Sequence, residues 1–253
     1  MNELTNWMMV FLRVSAMLSI FPIFSSSNFP VQMRLALGAL VAALVYPTLP
    51  SVAIPAMDIW GMVGLMAQEV LVGLMFGFTS RMVFFGLDMA GSLIGNEIGL
   101  SLPPSVNPMT GASSMAPGTI LFYLASMLWL GMDLHHWMLV AFQRTYEFVG
   151  IGQAHLTSAM MQDVIHRTSL TFVIAVQLSA PLLAVSFIIS MVFAVLGRTV
   201  PQLNVFQENI TVRTLVGMGV FGVGMQLMSQ HIMNYLRSLP EDILRVAHLL
   251  NTH

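Results

Sequence analysis

The chain has 253 residues, of which 57% are apolar and only 8% charged, with a formal charge of −2 and a mean hydropathy of +0.81. Soluble domains carry about 25% charged residues, and no hydrophilic stretch here is long enough to build a soluble core. Nine arginines, no lysine and no cysteine exclude a basic nucleic-acid surface, a polybasic lipid-binding tail, a disulfide framework and a thiolate metal site. The sequence reads as an integral membrane protein.

A membrane span needs roughly 20 apolar residues. The first candidate is Trp7–Phe24, closed by Ser25-Ser26-Ser27-Asn28 and Pro30. Glu3 precedes it, Arg13 interrupts it and no small-residue cleavage site follows, so it reads as a retained first segment and not a signal peptide. Leu35–Leu49 is a short second segment ending in Pro47, Pro50 and Pro55. The third, Ile59–Ile98, is too long for one simple span and contains Glu69, Arg81, Asp88 and Glu97.

Residues 101–118 hold Pro103, Pro104, Pro108, Gly111, Pro117 and Gly118, a density of breakers that predicts a loop. A fourth segment, Thr119–Phe142, is broken around Asp133-Leu134-His135-His136, and residues 143–157 read as a polar connection. Met161, Val164, Ile165 and Thr168 give helical spacing that runs into Leu170–Leu196, with a kink at Pro181. A polar island, residues 197–209, precedes the last long segment, Val212–Leu236. Ser238-Leu239-Pro240-Glu241 fits a capping box, so a separate short helix is expected with an apolar face of Ile243, Val246, Ala247 and Leu250. Arginines fall on several loops, which leaves the orientation of the termini open.

Gly73 and Gly77, then Gly91, Gly95 and Gly99, recur every four residues, the spacing of a small-residue ridge that lets helices approach closely. Packing within the chain and packing against other subunits both fit. Glu69, Arg81, Asp88 and Glu97 are costly in hydrocarbon and must face protein or water. Structural pairing is favoured over an ion or proton path. Two adjacent histidines on a helix point about 100° apart, so a structural role for Asp133, His135 and His136 is favoured over a metal site. The 23 methionines are spread through every segment, which fits adaptable packing, or a compliant seal around a pore, better than copper handling. No phosphate loop, nucleophile–base pair or cofactor motif is present, so no enzymatic activity and no cofactor are expected.

Arg13, Pro22, Phe24, Pro30 and Arg34, then Glu69, Gly73, Gly77, Ala90, Gly91, Gly95 and Gly99, then Asn107-Pro108, Gly111 and the histidine pair, occur in an order that resembles the FliR family of flagellar export-gate proteins. Pro201-Gln202-Leu203-Asn204-Val205-Phe206 resembles that family's most recognisable motif, and the resemblance covers essentially the whole chain. One departure is Val149-Gly150, where the family pattern has a proline before the glycine.

The resemblance implies an all-α membrane protein of about six apolar segments in kinked hairpins, like a fusion of the FliP and FliQ folds, with much of it surrounded by protein. Residues 1–150 would be the FliP-like part and 151–253 the FliQ-like part. The implied function is a subunit of the type III export gate in the bacterial inner membrane at the flagellar basal body. There it would stand with FliP-like and FliQ-like subunits and a FlhB-like switch protein, passing unfolded flagellar proteins. The loop would be a channel plug formed by Pro103, Pro104, Asn107, Pro108, Met109, Gly111, Met115, Pro117 and Gly118, with the methionines sealing and Gly111 and Gly118 as hinges. Arg198, Pro201, Gln202, Asn204 and Phe206 would form an entrance-side contact with neighbouring subunits. The alternatives are the homologous subunit of a virulence injectisome (SctT), and a small-molecule or ion transporter using Glu69, Arg81 and Asp88.

Overall fold

Apolar sequence with few breakers folds into long helices, and three dominate this chain. In the computed structural model, which describes residues 2–26, 29–49, 58–99, 116–155, 157–199 and 205–251, all regular structure among the described residues is helical. The order is α1 (Asn2–Ile20), α2 (Val31–Val45) running into a 3-10 turn (Tyr46–Thr48), α3 (Ile59–Glu97), α4 (Ala116–Gly131), α5 (Leu134–Phe148), α6 (Ser158–Thr199) and α7 (Val205–Asn251). Helices α3, α6 and α7 have 39, 42 and 47 residues. At about 1.5 Å per residue they reach roughly 58–70 Å, twice the roughly 30 Å of a hydrocarbon core.

Val31–Thr48, Ile59–Glu97, Ser158–Thr199 and Gln207–Asn251 are each long and apolar enough to cross a membrane, and the α4–α5 pair, bent by 73°, adds a fifth. The expected all-α membrane architecture holds. The bend falls where the sequence places it. Asp133, between the two helices, has φ 55°, a left-handed conformation that aspartate tolerates better than most residues.

Helix α3 is the hub, packed by α1, α4, α6 and α7, while α5 lies against α7 and α2 against α1. Its buried side chains include Phe76, Leu87, Ala90 and Ile94. Around them lie Met9 and Val14 from α1 and Phe21 just after it, Leu121 and Trp129 from α4, Leu178 and Leu182 from α6, and Ile232 and Leu236 from α7. The glycine ridge explains how α3 takes so many neighbours. A Cβ on Gly73 would lie 2.2 Å from the Arg13 carbonyl oxygen, and one on Gly77 would lie 2.7 Å from that of Met17. A Cβ on Gly91 would lie 2.1 Å from Gly118 Cα. These three glycines are used within the chain. Gly95 is also buried, and Gly99 ends the helix at φ +74°.

Three expectations change. Helix α5 continues through Gln143, Arg144 and Glu147 to Phe148, so the polar connection is shorter than 143–157. Helix α4 starts at Ala116, so Pro117 and Gly118 are helical and buried; Gly118 is a packing position against Gly91 and not a hinge. The tail does not restart: α7 runs unbroken through Pro240. The Ser238 hydroxyl donates back to the Tyr235 carbonyl at 2.9 Å instead of capping a new helix. Ile243, Val246, Ala247 and Leu250 continue the buried stripe of Leu236 and Leu239, so the expected apolar face is buried inside the chain.

The Gly91–Gly118 contact predicts a specific sensitivity. Gly91→Leu must push α3 and α4 apart and should destabilise by at least about 1–3 kcal/mol, the usual cost of overpacking. Gly219→Leu, where a Cβ meets nothing within 4 Å, should leave thermal unfolding of the detergent-solubilised protein unchanged.

Candidate functional site

Arg13 is the largest fully buried side chain, at 0% exposure, and its partner Glu69 is 1% exposed. The guanidinium makes a two-pronged pair with the carboxylate: Nε donates to Oε2 at 2.6 Å and Nη2 to Oε1 at 3.0 Å. Nη1 donates to the Val149 carbonyl at 3.2 Å and Nη2 also reaches the Gly150 carbonyl at 3.5 Å. The ring of Tyr146 lies 4.0 Å from the guanidinium carbon. Glu69 Oε1 accepts a further bond from the Gly152 backbone N–H at 2.9 Å, and the Gln68 amide donates to the Ala154 carbonyl. Helices α1, α3 and α5 and the segment after α5 therefore meet at one ion pair. Gly73, one turn beyond Glu69, has no side chain to hold α1 away, and that closeness makes the two-pronged geometry reachable.

A second cluster closes the far end of α3. Arg213 of α7 donates from Nε to the Glu97 carbonyl and from Nη2 to Glu97 Oε2, both at 2.7 Å. Ser186 of α6 donates to the same carboxylate oxygen at 2.5 Å, and Thr214 donates to the Ile98 carbonyl at 2.7 Å. The last carbonyls of a helix lack internal donors and carry partial negative charge. Here a cation and a hydroxyl from another helix satisfy them, fixing the point from which residues 100–115 depart. A third cluster joins α6 to α7: Arg167 pairs with Asp163 on its own helix and with Asp242 Oδ1 at 3.1 Å.

These clusters turn the buried charges into braces. Arg81 donates to the Ile20 carbonyl at 3.4 Å and to Ser25 Oγ at 3.5 Å, with its guanidinium over Phe85. Asp88 lies on an exposed side of α3. Along the helix, Glu69 and Arg81 are separated by about 18 Å and Arg81 and Asp88 by about 10 Å, so the three do not form one transport site.

A family model described as bacterial export proteins, family 1, matches residues 4–239. The chain belongs to this family, the FliR proteins. It is 28% identical over 214 residues to the flagellar biosynthetic protein FliR of Bacillus subtilis, covering 83% of this chain and 82% of that one. It is 27% identical over 236 residues to FliR of Escherichia coli (92% and 90%), and 26% identical over 249 residues to FliR of Pectobacterium carotovorum (96% and 95%).

Of the residues the FliR resemblance singles out, Pro103, Pro104, Asn107, Pro108, Met109, Gly111 and Met115 lie outside the described residues, as do Pro201, Gln202 and Asn204. Phe206 is in the first turn of α7, its side chain outside what is described, and Arg198 is exposed in the last turn of α6. The Val149-Gly150 departure is harmless to the Arg13 network, which uses only backbone carbonyls there. A proline would supply the same acceptor. His135 and His136 both lie in the first turn of α5, as the angular argument assumed, yet the ligand atoms of Asp133, His135 and His136 all come within 4.8 Å of one another, so the angle alone does not keep them apart.

Sequence reasoning saw Glu69 and Glu97 as costly charges but missed their partners, and gave Arg167, Asp163 and Asp242 no role. The i,i+4 spacing of Asp163 and Arg167 on α6 was a visible signal for that pair. Nothing local connects Arg13 to Glu69.

Removing one member of a buried pair strands the other charge. Arg13→Ala or Glu69→Ala should each destabilise by about 3–5 kcal/mol, whereas the double change Arg13→Met with Glu69→Leu should recover most of that loss. Denaturant unfolding in micelles reads both; equal losses in single and double variants would contradict the brace.

Proposed function

We propose that this protein is a subunit of the flagellar type III export gate in the bacterial inner membrane, assembled with FliP-like and FliQ-like subunits and passing unfolded flagellar proteins. The match that carries this reading is the family model over residues 4–239, together with relatives named as flagellar biosynthetic proteins along 82–95% of their own lengths. The flagellar names favour this reading over an injectisome subunit. The immobilised Glu69 and the scattered Arg81 and Asp88 argue against a small-solute transporter.

The shape of the surface agrees with a subunit that works in company. Phe187, Ile188, Met191, Val192 and Val195 on α6, with Leu215, Met218 and Val223 on α7, are more than half exposed. This apolar hairpin extends well past the Ser186–Glu97–Arg213 brace. Helices of 42 and 47 residues outrun a bilayer, so lipid covers only part of that surface and neighbouring subunits cover the remainder. On this reading residues 1–150 act as the FliP-like part and 151–253 as the FliQ-like part. Arg198, Pro201, Gln202, Asn204 and Phe206 at the hairpin tip meet adjacent subunits or the FlhB-like switch protein.

Two experiments test the reading. The gene should restore swimming to a flagellated host lacking its own FliR and should co-purify with FliP-like and FliQ-like chains. Gln202→Ala combined with Phe206→Ala should weaken both, and normal swimming with an intact complex would count against the contact motif. The loop between Gly99 and Ala116 is proposed as the channel plug, Met109 and Met115 sealing it. Its roots are held by the Glu97–Arg213 brace and the Gly91–Gly118 contact. Deleting residues 106–115 in an open-gate background should raise ion leak across the membrane; an unchanged leak would remove the plug role.

A further inference from the structure

Most of the arginines are occupied. Arg13, Arg167, Arg213 and Arg245 pair with carboxylates, and Arg34 and Arg81 donate to backbone carbonyls. Arg144, Arg237 and, at the end of α6, Arg198 are different: all are exposed, and none has a hydrogen bond or ion pair among the described residues; of these, Arg144 and Arg237 lie close to one another. They line one groove, a cavity of about 580 Å³ between α5 and the C-terminal half of α7.

The groove is built from two facing stripes. Leu134, Trp137, Ala141 and Arg144 come from α5, and Arg237, Pro240, Glu241 and Leu244 from α7, each set at the three- and four-residue spacing of a single helix face. Its walls are apolar, and Trp137 stands 61% exposed at its side. The third charged lining residue, Glu241, is exposed and likewise unpaired among the described residues. Pro240 lacks an N–H and lies mid-helix, so the helix wall here lacks one internal bond.

We propose that this groove binds the headgroup of an amine-bearing phospholipid. The lining matches that molecule group by group. Two unpaired guanidiniums offer planar donors for the phosphodiester oxygens. One unpaired carboxylate accepts from the primary ammonium. The Leu134, Val140 and Leu244 side chains, which also line the groove, take the first carbons of an acyl chain. An exposed tryptophan beside a basic pocket between membrane helices is the arrangement expected at a lipid headgroup level. A purely anionic small molecule would leave Glu241 opposed and the apolar wall unused.

The full-length protein in detergent is tested by native mass spectrometry with added phosphatidylethanolamine or phosphatidylglycerol. The wild type should retain phosphatidylethanolamine more strongly. The double variant R144Q/R237Q should lose retention of both lipids by about tenfold or more, and E241Q should erase the preference between them. Because these residues are exposed and unpaired, the variants should unfold at the wild-type temperature, and a groove-filling Leu244→Trp should also expel lipid. Free glycerophosphoethanolamine added in excess should not compete, since it lacks the acyl chain. Equal lipid retention by wild type and R144Q/R237Q overturns the proposal. Crosslinking from position 237 in the assembled complex to an acidic polypeptide segment instead of to lipid overturns it as well. Either failure leaves the export-gate reading intact, because swimming and co-purification are read separately.

Discussion

The fold depends on the buried pair of Arg13 and Glu69. An ion moved out of water loses several kcal/mol of solvation even after relaxation, so such a pair persists only where the surroundings replace nearly every lost contact. Here two parallel bonds join the charges, two backbone carbonyls take further guanidinium donors, a backbone N–H serves the carboxylate and a tyrosine ring covers the cation. Each requirement constrains another part of the molecule. Helix α1 must lie within a glycine's width of α3, and the chain leaving α5 must turn its carbonyls toward Arg13. Removal to lipid is no escape for either charge. The pair therefore selects a single register for the N-terminal half.

Much of the helical layout was legible in the sequence, because breakers and apolar runs act locally. The apolar region 59–98, the break near Asp133 and a long helix through Pro181 all follow from composition along the chain. The bracing was not legible. Arg13 and Glu69 are 56 positions apart, and Glu97 and Arg213 are 116 apart; no periodicity reports a partner at that distance. The tail shows the opposite failure, a strong local signal overruled. Ser238, Pro240 and Glu241 have the residue types of a helix start, yet Leu236, Leu239 and Ile243 form one buried stripe. Burying that stripe outweighs the single hydrogen bond lost at the proline.

For the candidate site, the glycine ridge was legible as close packing, and the structure decides its partners for Gly73, Gly77 and Gly91. The loop and island motifs were found by residue type alone. What the fold adds to them is where they are rooted. The loop follows the end of α3 at the Glu97–Arg213 brace, and the same brace grips the α6–α7 hairpin at Ser186 and Arg213, well before α6 ends at Thr199.

That anchoring has a consequence for how the loop can vary. Closing a flexible loop normally costs entropy that grows with its length, by only about 0.6 kcal/mol for each doubling. Here the ends are already brought together by contacts outside the loop, Gly91 against Gly118 on one side and Arg213 with Thr214 on the other. The body of the protein bears the cost of closure, so insertions and deletions between residues 100 and 115 are nearly neutral for folding. Selection on that segment can then act on its behaviour in the export apparatus, with little penalty from stability.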